Sequence, residues 1–302
     1  MPEYVNPWRD QYDSLTQAFE DALILARTVA TTFDATKTCD IFLNRYFHQD
    51  EARFVSDVFR TIANIPLDIP MAESSAPLNP DLSNILVGLT TPARFELMLI
   101  SWNDNPIRMV LPNTPSCDDG ATEGWYEQCR LNADGACISM CDLVWDHPPL
   151  QEIFQPEIEW IGHPGFGCET LLGEDTNLML PAGGVLLREM LKWNYLFSDN
   201  VREWDIRIRT NAIHEHQINE YQAPGPNSIP PNGRGPYNAA LLKTLPRGAL
   251  SETVNNAENY VWFALSRYWS IKCGAVFGPA TDPSASFLRD SAYNRYLVRP
   301  PA

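Results

Sequence analysis

The sequence has no apolar run long enough to span a membrane, since a transmembrane helix needs about 20 mostly apolar residues. It is also poor in basic residues: the 302-residue chain has 22 Lys and Arg against 38 Asp and Glu, a formal net charge of −16. This charge repels phosphate backbones and anionic lipid surfaces. We therefore expect neither nucleic acid nor a membrane as a partner.

A signal segment and glycosylation sites are missing as well. Met1-Pro2-Glu3-Tyr4 does not begin a basic and then apolar segment, so the protein is either intracellular or its sequence begins after a removed signal. No Asn-x-Ser/Thr site occurs, although many secreted proteins also lack one.

The cysteines favour the second alternative. They are more numerous than is usual in a cytosolic chain and show no CxxC metal spacing. The seven are Cys39, Cys117, Cys129, Cys137, Cys141, Cys168 and Cys273. Four of them lie in the loop-rich stretch 112–150, which would be poorly ordered without cross-links. We predict that most are paired with one left over, and that the protein is secreted and lacks its signal peptide here.

Hydrophobic periodicity predicts a helix-rich α+β fold. Helices are expected at 14–33, 50–65, 184–197, 239–245 and 251–268, the last capped by Ser251, and short strands at 95–102 and 108–111. We predict one domain with an N-terminal helical part (1–66), a linker rich in Pro, Ser and Asn (66–92), a part with a small sheet (93–278) and a tail (279–302).

Three segments, in order along the chain, resemble the fungal deuterolysin, or aspzincin, zinc endopeptidases, which include lysine-specific metallo-endopeptidases. They are Leu-Leu-Arg-Glu-Met-Leu-Lys-Trp at 186–193, Gly-Pro-Tyr-Asn-Ala at 235–239 and Asn-Ala-Glu-Asn-Tyr-Val-Trp-Phe-Ala at 256–264. In that family a His-Glu-x-x-His helix precedes a loop with an aspartate ligand and then a helix that begins with Asn-Ala. The resemblance covers roughly the last third of the chain and implies a zincin-like metallopeptidase fold.

The residues that would hold zinc are replaced. Arg188 and Lys192 stand at the two histidine positions, and Glu189 alone is retained. Two cations repel Zn²⁺, and arginine does not lose its proton in a protein. No Asp or Glu occurs between Glu220 and Glu252, where the third ligand is expected, and Asn232 is the nearest polar substitute. We predict no metal, no other cofactor and no peptidase activity by the family mechanism.

The replaced positions are predicted to form the floor of a cleft, with Arg188, Glu189 and Lys192 as its charged residues. An arbitrary Arg-Glu-x-x-Lys would be a solvated helix stripe, but the flanks here are apolar and leave little surface for water. The charges then need an anion, which is Glu189, another carboxylate or a ligand. If the anion is a ligand, we expect Arg188→Ala to weaken ligand binding and to change the stability of the fold much less. Residues predicted to bind the ligand are Trp193, Asn232, Arg234, Tyr237 and Trp262.

Two functions compete. In the first, the cleft of a monomeric protein binds an apolar organic molecule and promotes a metal-free cyclisation or isomerisation in fungal secondary metabolism. In the second, the protein is a secreted pseudoenzyme, an effector or decoy, that binds a protein or peptide. A less favoured alternative keeps a metalloprotease with a new site at His214, His216 and Glu220. The isolated His48, His147 and His163 are interpreted as structural.

Overall fold

The computed structural model describes residues 1–5, 9–67, 90–104, 116–129, 132–171, 173–211 and 215–282. These ranges form a helix-rich α+β fold with a small mixed sheet. The helices are α1 (Arg9–Thr32), α2 (Leu43–Tyr46), α3 (Ala52–Ile62), α4 (Leu150–Phe154), α5 (Ala182–Leu191), α6 (Asn194–Phe197), α7 (Trp204–Arg207), α8 (Gly235–Leu242) and α9 (Ala257–Lys272). The strands are β1 (Glu3–Val5), β2 (Met98–Trp102), β3 (Gly124–Cys129) and β4 (Asn132–Met140).

Helices α1, α5 and α9 form the centre of the helical part. Every residue of α5 is buried, and so is every residue of α9 before Lys272. Helix α5 lies so close to α1 that a Cβ at Gly183 would collide with Asp21 and with the backbone of Ala18, so this position requires glycine. Because α5 and α9 have no solvated face, their charged side chains must find partners inside the protein.

The four strands lie in the order β1-β2-β4-β3. Strand β2 is parallel to both β1 and β4, whereas β3 runs antiparallel to β4. Gly124, the first residue of β3, faces α5: a Cβ at this position would lie 3.4 Å from Val185 Cγ1. The start of β3 therefore brings the residue before it, Glu123, close to α5.

One hydrophobic cluster runs through the described residues, from Leu15 in α1 to Phe277 after α9. The N-terminal helices, which the sequence predicted as a layer, thus share a core with the C-terminal ones. The helices predicted at 14–33 and 50–65 correspond to α1 and α3 and are confirmed. The short helix predicted at 239–245 begins earlier, as α8.

Two predicted helices were wrong in their bounds. The helix predicted at 184–197 ends at Leu191 and resumes as α6, because the Lys192 carbonyl accepts a hydrogen bond from Gln217 Nε2 (2.9 Å). The helix predicted from Ser251 begins at Ala257. The Asn255 side chain bonds the backbone at residues 207, 209 and 251 and thereby holds the segment before α9 out of the helix.

The strand predicted at 95–102 is a 3₁₀ turn (Ala93–Leu97) followed by β2. The strand predicted at 108–111, most of the linker at 66–92 and most of the tail at 279–302 lie outside the described residues. Within the described ranges, no helix has the length and apolar character needed to cross a membrane.

Three disulfides cross-link the chain: Cys117–Cys141, Cys129–Cys137 and Cys168–Cys273. Two lie within the loop-rich stretch, and the third joins the segment after α4 to the end of α9. Cys39 is left free and exposed. The prediction that most cysteines are paired with one left over is confirmed, and the three disulfides suggest an extracellular or otherwise oxidising environment.

Candidate functional site

The candidate site is built around Arg188 on α5. Lys192, directly after α5, follows Arg188 by four residues and Glu189 by three, and both spacings bring side chains together on a helix. The side chain of Arg188 is only 3% exposed and that of Glu189 is fully buried. The structure thus places both side chains inside the protein.

Arg188 is surrounded by carboxylates from several parts of the chain. Its Nε donates to Glu189 Oε1 at 2.9 Å, and its Nη1 donates to Glu123 Oε2 at 3.1 Å and to Glu258 Oε1 at 3.0 Å. Glu123 precedes β3, and Glu258 lies in the first turn of α9. A long arginine side chain can meet all three because β3 and α9 both pack against α5.

Lys192 continues the cluster towards the surface. Its Nζ donates to Glu189 Oε2 and to Glu220 Oε1, each at 2.8 Å. The second oxygen of Glu220 accepts from Arg234 Nε at 2.9 Å. We call this set the Arg188 network; its seven members are Arg188, Lys192, Arg234, Glu123, Glu189, Glu220 and Glu258.

Opposite charges within the network favour the ionised forms of Glu123, Glu220 and Arg188. Burial alone would raise the pKa of Glu123, but the hydrogen bond from His147 and the charge of Arg188 outweigh burial and lower this pKa to about 2. Burial acts against Glu220 too, and Lys192 and Arg188 lower its pKa well below the usual range. Burial lowers the pKa of Arg188, but the negative charges of Glu189 and Glu258 outweigh burial and raise it. These three groups therefore stay charged at neutral pH.

Asn256, the residue before α9, positions the loops that carry Glu220 and Arg234. Its Oδ1 accepts from the Tyr221 backbone N–H at 3.0 Å, and its Nδ2 donates to the Gly233 carbonyl at 3.1 Å. A Cβ at Gly233 would overlap the Asn256 amide, so glycine is needed for this close approach. One buried amide thus fixes the residue after Glu220 and the residue before Arg234.

These residues do not fit zinc. The two positions at which the resemblance expects histidines carry cations that are already bonded to carboxylates. In the described ranges no group of three or more His, Cys, Asp or Glu side chains is arranged to hold a metal ion. The sequence placed the missing acidic ligand after Glu220, but the structure brings Glu220 itself to the site, where it pairs with Lys192.

The alternative metal site at His214, His216 and Glu220 finds little support. His214 lies outside the described residues. His216 is engaged elsewhere, with Nδ1 2.6 Å from the Ile208 carbonyl. Glu220 is occupied by Lys192 and Arg234.

The predicted binding residues separate into two groups. Arg234 belongs to the network, and Trp262 joins it because its indole N–H donates to Glu258 Oε2 at 2.7 Å. Asn232 only shapes the loop, since its Oδ1 accepts from the Arg234 backbone N–H. Trp193 is a core residue that donates to the Asp134 carbonyl. Tyr237 is half-buried on α8, and no hydrogen bond joins it to the network among the described residues.

Sequence reasoning missed Glu123, Glu258 and the role of His147. His147 was interpreted from the sequence as isolated and structural. Its Nε2 lies 2.9 Å from Glu123 Oε1, so it holds the carboxylate oxygen that does not face Arg188. Glu258 follows the Asn-Ala pair of the third resembling segment and could have been singled out there. No local signal marks Glu123, because it reaches Arg188 only through the position of β3.

The network can supply fixed charges and hydrogen bonds, but not a freely titrating acid or base at Glu123 or Glu220. Comparison of the chain with models of known protein families, with curated proteins and with solved structures found no match in any of the three.

Proposed function

We propose that this chain is a metallopeptidase-like protein whose zinc centre has been replaced by the Arg188 network, and which binds an apolar organic ligand there without zinc. One observation carries the proposal: the three segments that resemble the deuterolysin-type peptidases meet at a single point. Arg188 on the first segment bonds Glu258 on the third, and Glu258 also accepts from the backbone N–H of Gly235 at the start of the second (3.3 Å).

The chemistry that fits this site is metal-free. Carboxylates that stay ionised can stabilise positive charge that develops in a bound molecule, and a fixed guanidinium can polarise an oxygen. Such groups suit a cyclisation or isomerisation, in which a bound molecule is held in a reactive shape and no water attacks. The indole of Trp262, which is fully buried beside Glu258, supplies an apolar wall.

The first test concerns zinc. We expect the purified protein to contain far less than one zinc per chain by elemental analysis and to leave casein intact, because the cations at 188 and 192 oppose Zn²⁺. About one zinc per chain would refute the proposal.

The double variant Arg188→His and Lys192→His is the informative companion. It places two imidazoles at i and i+4, and Glu220 already lies 2.8 Å from the Lys192 nitrogen, within reach of a third ligand position. We expect this variant to take up zinc in equilibrium dialysis, with the variant Lys192→His alone as the matched control. If the double variant binds no more zinc than the single one, the network does not stand where a zinc centre would.

A second candidate is a secreted pseudoenzyme that binds another protein. It is favoured by the exposed loop before Cys168, where Ile158 and Ile161 are 89% and 62% exposed beside the stacked rings of Trp160 and Phe166. The variant Ile158→Ser with Ile161→Ser should abolish binding of a partner while leaving ligand binding at Arg188 intact. Unchanged partner binding in this variant would refute the second candidate.

A further inference from the structure

Within the Arg188 network every carboxylate oxygen already has a donor. Glu189 and Glu220 each use both oxygens on basic side chains. Glu123 accepts from Arg188 and pairs with His147, and Glu258 accepts from Arg188 and from Trp262. Each carboxylate is therefore already engaged within the protein, and a ligand that brings only hydrogen-bond donors would have to share oxygens that the protein already uses.

The unsatisfied atom of the network is a donor. Arg188 Nη2 is buried, and no acceptor lies within hydrogen-bonding distance of it among the described residues. A buried N–H without an acceptor costs about 1–3 kcal/mol, so an incoming acceptor would recover free energy that the free protein forgoes. The hydrogen bond that Arg188 Nη2 can still make is one to an acceptor oxygen.

The net charge of the network limits the charge of an oxygen-bearing ligand that can bind there. Four carboxylates face three basic side chains, so the network carries one excess negative charge when His147 is neutral. Glu123 and Glu220 stay ionised at neutral pH, because the pKa of Glu123 is lowered to about 2 and that of Glu220 is also lowered. An added anion would meet this excess in a poorly solvated place, where like charges repel strongly.

We infer that the ligand of the Arg188 network offers an uncharged oxygen acceptor, as a ketone, ester, lactone or amide does, and carries no anionic group near it. This inference rests on the proposed binding function and specifies its ligand. The sequence left open whether the anion beside these charges is Glu189, another carboxylate or a ligand, and protein carboxylates already fill this role.

The ligand reaches the network from its exposed edge. The side chains of Glu123 and Arg234 are 25% and 49% exposed, whereas Arg188 and Glu258 are almost wholly buried. Arg234 is the more exposed of the two and is held to the network by its bond to Glu220.

Matched pairs of fragments test this inference. A panel of aromatic and aliphatic methyl esters, each with its own free carboxylate, is titrated into the full chain at pH 7 and followed by NMR at the indole N–H of Trp262, which is assigned with Trp262→Phe. We expect the esters to shift this signal and each carboxylate to bind at least about ten-fold more weakly than its ester.

Two variants locate the effect. Glu123→Gln keeps the shape and removes one negative charge, so it should bring the carboxylates to within about three-fold of their esters. Arg188→Lys keeps the charge and removes Nη2, so it should weaken ester binding by about ten-fold or more. Should Arg188→Lys fail to fold, Glu123→Gln decides by itself.

The outcomes are distinct. Carboxylates that bind wild type as tightly as their esters would overturn the inference while leaving a binding site at Arg188 in place. The inference would also be overturned if wild type and Glu123→Gln preferred esters over carboxylates by the same factor. The excess negative charge would then not be the cause of this preference. If no fragment of the panel shifts the Trp262 signal, the proposed binding function itself is refuted.

Discussion

Replacing Arg188 by methionine should strongly destabilise the protein. Methionine keeps much of the arginine volume but leaves Glu123, Glu189 and Glu258 without the guanidinium that binds all three. Removing one partner of a buried ion pair costs about 3–5 kcal/mol, because the remaining charge is stranded in a poorly solvated place. For the case that a ligand supplies the anion, the sequence analysis expected Arg188→Ala to change stability much less than ligand binding, whereas the burial of Arg188 leads us to expect a large effect on stability.

Urea unfolding at pH 7, followed by tryptophan fluorescence, measures the effect as the difference in unfolding free energy from wild type. The matched control is Arg209→Met, since Arg209 pairs with Glu252 at the surface and is 45% exposed. We expect a loss of less than about 1 kcal/mol for this control. Adding Glu258→Gln to Arg188→Met should recover part of the loss, because one stranded charge is removed.

A loss below about 1 kcal/mol for Arg188→Met would contradict this reasoning. It would mean that the carboxylates take up protons or rearrange at little cost once the guanidinium is gone. Repeating the measurement at pH 4 tests for this, since protonated carboxyls need no cation.

Three further predictions concern other parts of the molecule. Burial raises the pKa of Asp21 from 3.8 to about 6, so the folded state binds a proton more tightly than the unfolded state does. The stabilisation of the folded state by this proton is present below about pH 4 and is lost as the pH rises through about 6. Asp21→Asn should therefore gain about 1–3 kcal/mol relative to wild type between pH 4 and pH 7.5 in urea unfolding, and a pH-independent difference would contradict this. Gly233→Ala should displace the Asn256 amide and destabilise the protein by about 1–3 kcal/mol in thermal unfolding. The control Gly248→Ala, whose Cβ would make only an ordinary contact 3.8 Å from the Leu250 carbonyl oxygen, should change stability by less than about 1 kcal/mol. Similar effects of the two variants would show that the contact at Gly233 is loose. Alkylation of the unreduced protein should label Cys39 alone in peptide mass mapping, and labelling of Cys168 or Cys273 would refute that disulfide.

Predictions from the sequence succeeded where a signal is local. The periodic apolar residues of α1 and α3 identified both helices, because a helix repeats every 3.6 residues whatever it packs against. They failed at the start of α9 and at the break after Leu191, where side-chain hydrogen bonds to or from distant segments hold the backbone out of the helix.

The sequence by itself determined that this protein is acidic, helix-rich and rich in cysteine, and that two cations occupy positions i and i+4 of one apolar helix. These properties follow from composition and from neighbours along the chain. It could not determine that Arg188 and Lys192 are neutralised by the protein itself, because Glu123, Glu220 and Glu258 come from segments that only the packing of β3 and α9 against α5 brings together. The tertiary structure decided the partners of each charge, since electrostatic attraction depends on distance in space and not on distance along the chain.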